Sequence, residues 1–136
     1  MIQNHELINQ VEHETYNLKL ITSHQIDHLI LDPHHGIQDL INNKIRAVGN
    51  PDRRFQEDAL RVIRALRFAV ALGCDIEKHT RTSIQKNAHL IRQIAKERIK
   101  QECDKVFVGN NPFGFISLLN STNLLKWIFP KVYDNK

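Results

Sequence analysis

Two acidic residues and three arginines lie close together in the middle of the chain. Glu57 and Asp58 are followed by Arg61, Arg64 and Arg67, and the arginines recur every three residues. In a helix of 3.6 residues per turn, each arginine is rotated by about 60° relative to the previous one. Glu57 is four residues before Arg61 and Asp58 is three before it, the spacings at which helical side chains are neighbours. The pattern therefore predicts a carboxylate and a guanidinium fixed side by side, with further cations next to them.

A carboxylate fixed beside a guanidinium is able to distinguish nucleobases. Cytosine and adenine both carry an exocyclic amine, a donor, next to a ring nitrogen that accepts, so Asp58 and Arg61 would match either base. Uracil and guanine have the opposite order, and each buried mismatched group costs about 1–3 kcal/mol. The remaining arginines suit phosphates, which a planar guanidinium binds through two donors. The alternative is purely structural, because the same spacings form helix-stabilising ion pairs of about 0.2–0.5 kcal/mol each.

The elements that must position this motif are mainly helices. The clearest runs from Glu57 to Leu72; it is rich in Ala, Leu and Arg, and Gly73 ends it. Thr80 is a candidate cap for the next helix. Apolar spacing and proline boundaries predict a short helix or turn after Gly36 and further helices over residues 80–91, 96–108, 113–119 and 124–129.

Two segments are predicted to be non-helical. Turn residues indicate a loop over residues 48–52. Residues 26–31 are aliphatic and precede Asp32-Pro33, which favours a strand or an extended segment. The expected fold class is therefore mainly α with a small extended or β piece near residues 26–31.

Charge is concentrated in the central part of the chain. The net charge is +4 over 136 residues, but residues 44–105 hold fifteen basic and eight acidic side chains, whereas residues 1–27 hold one basic and four acidic ones. Such a basic stretch favours a phosphate-rich partner, although an ordinary solvated helical surface would have the same composition. Two cysteines give no disulfide framework, and no apolar run approaches a membrane span. We expect a reducing, cytoplasmic setting.

Several segments of the chain resemble, in order, the motifs of class II tRNA nucleotidyltransferases. These are the CCA-adding enzymes, with bacterial poly(A) polymerase as a close relative. The resemblance covers about residues 30 to 130, and its segments are 31–40, 45–49, 54–61, 64–69, 72–73, 94–99 and 111–113. It implies that residues 31–136 form a helical neck and proximal RNA-binding domain.

The resemblance also implies roles for individual residues. Asp58 and Arg61 would be the template that selects CTP and ATP, with Glu57 bracing Arg61. Arg64 would lie near the triphosphate or support the pocket. The implied partners are tRNA and nucleotides. Four cations of the downstream helix would contact RNA, unless they form only a solvated face: Lys96, Arg98, Lys100 and Lys105.

The family's catalytic head has no counterpart in the sequence. Its Gly-Gly-x-Arg-Asp loop and the Asp-x-Asp pair that holds Mg²⁺ are absent, and residues 1–30 resemble at most a degenerate remnant of the head. Two-metal phosphoryl transfer needs such carboxylates. We therefore assign no catalytic residue and no metal ligand, expect Mg²⁺ only in a full enzyme, and expect no nucleotide addition by the 136 residues alone.

Three readings of the function remain open. The first is the neck of a CCA-adding enzyme. The second is the neck of a poly(A) polymerase or of a relative adding only C or only A. The third is a non-catalytic RNA- or partner-binding remnant, whose partner would be a separately encoded head. The motifs in this stretch are shared among these enzymes and do not separate them.

Two other groups of side chains were considered as sites. His28, Asp32, His34 and His35 match no metal-ligand spacing, so a polar loop is the preferred interpretation. Phe113, Phe115, Trp127 and Phe129 could stack on RNA bases, but their position among leucines favours core packing.

Overall fold

The computed structural model describes residues 31–134, and a compact helical unit begins at His34. Its helices are α1 (Gly36–Ile41), α2 (Pro51–Glu57), α3 (Leu60–Leu72), α4 (Lys78–Asn87), a 3₁₀ helix (Ala88–Gln93), α5 (Lys96–Phe107), α6 (Pro112–Ser121), α7 (Leu125–Ile128) and α8 (Pro130–Tyr133). The mainly α prediction is confirmed. The predicted extended piece near residues 26–31 and the predicted head remnant over residues 1–30 lie, apart from Leu31, outside the described residues.

The helix predicted from Glu57 to Leu72 is in fact two helices. Glu57 ends α2, and Asp58 follows in an extended conformation with φ −152° and ψ 102°. Asp58 Oδ1 accepts a hydrogen bond from the Leu60 N–H at 3.0 Å, so its side chain caps the start of α3. Aspartate is favoured at this position because its oxygen satisfies an amide that has no partner within the helix.

The loop predicted over residues 48–52 ends earlier than expected. Pro51 and Asp52 already belong to α2, and the side chain of Asn50 accepts from the Arg53 N–H at 3.0 Å. Proline suits the first position of a helix, where its missing N–H costs nothing. The cap of α4 was also predicted wrongly, since Glu77 rather than Thr80 accepts from the free amides, those of His79 and Thr80.

Helix α3 is the centre of the core. Its buried residues are Leu60, Val62, Ile63, Leu66 and Ala69. It packs against α5 and α6, and it ends, as predicted, at Gly73, whose φ of +63° glycine adopts without strain. The largest fully buried side chains from other elements are Ile84, Ile91, Phe115, Leu119, Leu124 and Leu125.

Two short parallel strands join the segment before α2 to the segment after α3. Strand β1 (Lys44–Ile45) pairs with β2 (Asp75–Ile76), and Lys44 lies opposite Asp75. Across the same region, Asp52 of α2 accepts hydrogen bonds from Ser83, Lys86 and Asn87 of α4. These contacts fix α2 against α4, and therefore fix the position of the break before α3.

The aromatic residues at the end of the chain are only partly core. Phe115 is fully buried, and Trp127 and Phe129 are partly buried against the core. Phe113 is 87% exposed, so the core prediction is wrong for this residue. Over residues 31–134, no helix combines the length and the apolar content that crossing a membrane requires.

Candidate nucleotide and RNA interface

Glu57 and Arg61 face each other across the break between α2 and α3. Arg61 Nη1 lies 3.0 Å from Glu57 Oε2 and also donates to the Arg54 carbonyl at 3.2 Å. Arg54 Nη1 contacts the same Glu57 oxygen at 3.1 Å. Hydrogen bonds from Arg61 and Arg54 hold the pKa of Glu57 below its usual value. The predicted contact between Glu57 and Arg61 is therefore present, although the two residues belong to different helices.

Asp58 has different partners from those its spacing suggested. Its Oδ1 caps α3, and its Oδ2 lies 3.7 Å from Arg98 Nη2 of α5. Among the described residues it makes no ion pair with Arg61, because Asp58 is not helical and the two do not share a helix face. The carboxylate is 31% exposed, so it remains accessible to a ligand.

A groove of about 440 Å³ lies beside Arg61. Arg46, Arg54, Arg61 and Arg64 line it, together with the apolar side chains of Ile45, Ala47, Val48, Phe55, Ala65 and Phe68 and with Thr80. No acidic side chain is among these lining residues. The groove therefore combines an apolar wall with a high density of positive charge, as an aromatic base carrying phosphates would require.

Arg64 differs from the other three arginines of the groove. Within residues 31–134, no carboxylate lies within 4.0 Å of its guanidinium, whereas Arg54 and Arg61 contact Glu57 and Arg46 contacts Asp39. Arg64 is also solvent-exposed. It is the arginine of this groove whose charge is least compensated by the protein.

Arg46 and Arg54 are groove residues to which sequence reasoning gave no role. Arg46 Nε and Nη2 donate to the two oxygens of Asp39 at 2.7 and 2.9 Å, and this pairing raises the pKa of Arg46. Both residues lie within segments that carry the family resemblance, and Arg54 is three residues before Glu57, a helical spacing that predicts their ion pair but not a place in the groove. Strand pairing and the position of α2, which are tertiary features, bring them to the groove.

The four cations predicted to contact RNA are all solvent-exposed on α5, but they are not equivalent. Lys100 pairs with Asp104, Arg98 approaches Asp58, and Lys105 Nζ contacts Glu102 at 2.9 Å. Lys96 has no carboxylate within 4.0 Å in the described part of the chain. Three of the four, Arg98, Lys100 and Lys105, therefore also lie close to carboxylates of the domain itself.

Glu102 is a buried carboxylate of the same helix. Arg67 Nε donates to Glu102 Oε2 at 2.8 Å, and Lys105 contacts the other oxygen. Burial opposes ionisation of Glu102, but hydrogen bonds from Lys105 and Arg67 outweigh it and lower the pKa. Arg67 therefore connects α3 to α5 and does not face the groove that holds Arg61 and Arg64.

The proposed polar histidine loop is described only in part. His34 and His35 are exposed, and His28 lies outside the described residues. Over residues 31–134 there is no group of three His, Cys, Asp or Glu side chains placed to hold a metal ion.

Comparison with known proteins gives consistent matches. The sequence profile of the family described as "probable RNA and SrmB-binding site of polymerase A" matches residues 73–135. The CCA-adding enzyme of Ligilactobacillus salivarius is 46% identical over 98 residues, which are 72% of this chain and 24% of that enzyme. The CCA-adding enzyme of Streptococcus uberis is 45% identical over 82 residues, 60% of this chain and 20% of that enzyme.

Solved structures agree with these sequence matches. The Bacillus stearothermophilus CCA-adding enzyme in complex with CTP is 37% identical, with a TM-score of 0.66 over 69% of this chain and 24% of that chain. A CCA-adding enzyme in complex with ATP is 26% identical, with a TM-score of 0.68 over 74% of this chain and 24% of that one. The chain thus spans about a quarter of the length of these relatives. Over this span, the chain is similar to the neck and RNA-binding region of the CCA-adding enzyme and poly(A) polymerase family.

Proposed function

We propose that this chain supplies base selection and RNA contact in a tRNA nucleotidyltransferase that adds CCA to tRNA 3′ ends, with CTP and ATP as substrates. The observation that carries the proposal is the placement of Arg61 on the wall of an arginine-lined groove, directly after the break at which the partly exposed Asp58 lies. Two of the similar solved structures are CCA-adding enzymes in complex with CTP and with ATP, which supports these nucleotides as ligands. The curated relatives described above are CCA-adding enzymes, which favours this reading over a poly(A) polymerase.

The unused hydrogen-bonding capacity of Asp58 and Arg61 fits base reading. Asp58 Oδ2 is 3.7 Å from Arg98, too far for a good hydrogen bond, so it is available to accept from an exocyclic amine. In Arg61 the Nη1 donors are used by Glu57 and the Arg54 carbonyl, while Nη2 and Nε make no hydrogen bond within the described residues. Those donors are free for the unprotonated ring nitrogen of cytosine or adenine.

Arg64 is the proposed contact for the triphosphate, with Arg46 and Arg54 as further positive charge in the same groove. A guanidinium with no carboxylate partner gains most from an incoming phosphate, because no existing ion pair must be broken. The Mg²⁺ expected for the reaction would be held by carboxylates outside this region, since residues 31–134 offer it no ligand cluster. The four exposed cations of α5 are proposed to contact the tRNA backbone; they are Lys96, Arg98, Lys100 and Lys105.

Equilibrium binding of the four nucleoside triphosphates to the 136-residue chain tests base selection. We expect tighter binding of CTP and ATP than of UTP and GTP. Asp58→Asn should retain the cap of α3 through its amide oxygen while replacing the second acceptor by a donor, so the preference should shrink about 5- to 150-fold, which corresponds to about 1–3 kcal/mol.

Asp75→Asn is the matched control. Asp75 is an exposed carboxylate paired with Lys44, and neither residue lines the groove. Equal affinity of the wild-type chain for all four nucleotides, or an unchanged preference in Asp58→Asn, would contradict the assignment.

A further inference from the structure

A second cationic surface lies around the indole of Trp127, apart from the arginine groove. Arg92 of the 3₁₀ helix has its Cζ 4.9 Å from the centre of the Trp127 ring, and Lys126 has its Nζ 5.1 Å from it. Helix α7, which carries Trp127 and Lys126, packs against the 3₁₀ helix. We name Arg92, Lys126 and Trp127 the indole patch. None of the three lines the groove of Arg61.

Neither cation of the indole patch is neutralised by the protein. Over residues 31–134, no carboxylate lies within 4.0 Å of Arg92 or Lys126, and both side chains are exposed. By contrast, most other cations of the domain contact Asp or Glu, as Arg67 and Lys86 do. A cation–π contact leaves the net charge of the pair at +1, so the patch remains strongly cationic.

The ring fixes where these charges are presented. Long cationic side chains lose rotamer freedom when they bind a ligand, and a contact that restricts them beforehand reduces that loss. Both cations lie close to one ring, so they form a compact pair rather than two independent charges. Guanidinium planes and aromatic rings are also the groups on which unstacked RNA bases stack.

We propose that the indole patch is an RNA-binding surface that contacts two phosphates of a single-stranded segment, separately from the site that selects nucleotides. Complementary charge identifies the ligand class, because two unpaired permanent cations beside an aromatic ring match phosphates and bases. A protein partner with an apolar surface would have to desolvate both charges without pairing them. The inference rests on the proposed RNA-binding role for its ligand, but not on Asp58 or Arg61.

Trp127 is the single tryptophan of the 136 residues, so its fluorescence reports on this surface alone. The experiment titrates a short single-stranded RNA oligonucleotide into the full chain and follows both tryptophan emission and the anisotropy of labelled RNA. We expect the two signals to change together. Arg92→Gln with Lys126→Gln should make the dependence of log affinity on log salt shallower by about 1.4, which is about 20-fold weaker binding at about 0.1 M salt.

The matched control is Lys44→Gln with Lys78→Gln, which removes two cations that line a different groove. This control should retain the affinity and the change in emission. An equal loss of affinity in both double variants, RNA binding without any change in tryptophan emission, or no RNA binding at all would overturn the proposal. Nucleotide preference is measured on the same proteins. If RNA binding depends on Arg92 and Lys126 but the wild-type chain shows no preference for CTP and ATP, only the base-selection proposal fails. If the chain prefers CTP and ATP but its RNA binding does not depend on Arg92 and Lys126, only the indole-patch proposal fails.

Discussion

Asp58 Oδ2 lies 3.7 Å from Arg98 Nη2, so a residue predicted to contact RNA is the nearest cation to a residue predicted to read the base. Arg98 lies in the first turn of α5 and is half exposed, with Lys96 and Lys100 on the same helix. The guanidinium of Arg98 therefore belongs to the proposed RNA contact and also lies beside the proposed base-selecting residue. Arg98 is placed to bias the direction of the Asp58 carboxylate.

We expect Arg98→Gln to alter nucleotide preference as well as RNA affinity. Without the guanidinium, Oδ2 of Asp58 loses the positive charge nearest to it and is less restricted in direction. The preference for CTP and ATP over UTP and GTP should fall several-fold, and RNA binding should weaken with a salt slope shallower by about 0.7 if the contacted strand is single. Lys100→Gln, a cation of the same helix whose partner is Asp104, should weaken RNA binding only. An Arg98→Gln chain with wild-type nucleotide preference would show that Arg98 does not act through Asp58.

Local patterns in the sequence predicted the faces and the end of α3 better than the geometry of the candidate site. The apolar spacing of α3 and its end at Gly73 follow from side-chain periodicity and from the conformational freedom of glycine. The Glu57–Arg61 contact was also predicted, although a helix break separates the residues. The break itself was missed, because an acidic residue is equally typical of a helix cap and of a first helical turn.

Contacts between distant parts of the chain could not be predicted from spacing. Arg67 and Glu102 are 35 residues apart, and their pairing depends on how α3 packs against α5. The arginine groove likewise needs β1 beside α3, which brings Arg46 close to Arg61 and Arg64. A single sequence gives the faces of each helix but not which faces meet.

We expect the 136-residue chain to incorporate no nucleotide by itself. The sequence contains neither an Asp-x-Asp pair nor a Gly-Gly-x-Arg-Asp loop, and phosphoryl transfer by two metal ions needs carboxylates to hold them. The assay supplies tRNA lacking its 3′ end, Mg²⁺ and labelled CTP or ATP, with a complete CCA-adding enzyme as the positive control. Incorporation above the protein-free background would contradict the absence of a catalytic residue from this chain.

The buried contact of Glu102 with Arg67 and Lys105 predicts a dependence of stability on pH. The pKa of Glu102 is lower in the folded chain than in the unfolded one, so its contribution to the free energy of unfolding is complete above the unfolded value, near 4.5. As the pH falls from there through the lower folded value, the carboxylate takes up a proton and the contribution is lost.

Glu102→Gln removes the charge but keeps the shape, and at pH 7 it should lower the free energy of unfolding by about 1.5–3 kcal/mol. Asp104→Asn, at an exposed position of the same helix, is the control and should change it by at most about 0.5 kcal/mol. Urea unfolding of the three proteins at pH 7 and at about pH 3.5 provides the measurement. The difference between wild type and Glu102→Gln should narrow at the lower pH, and a difference that stays constant would show that ionisation of Glu102 does not stabilise the packing of α3 on α5.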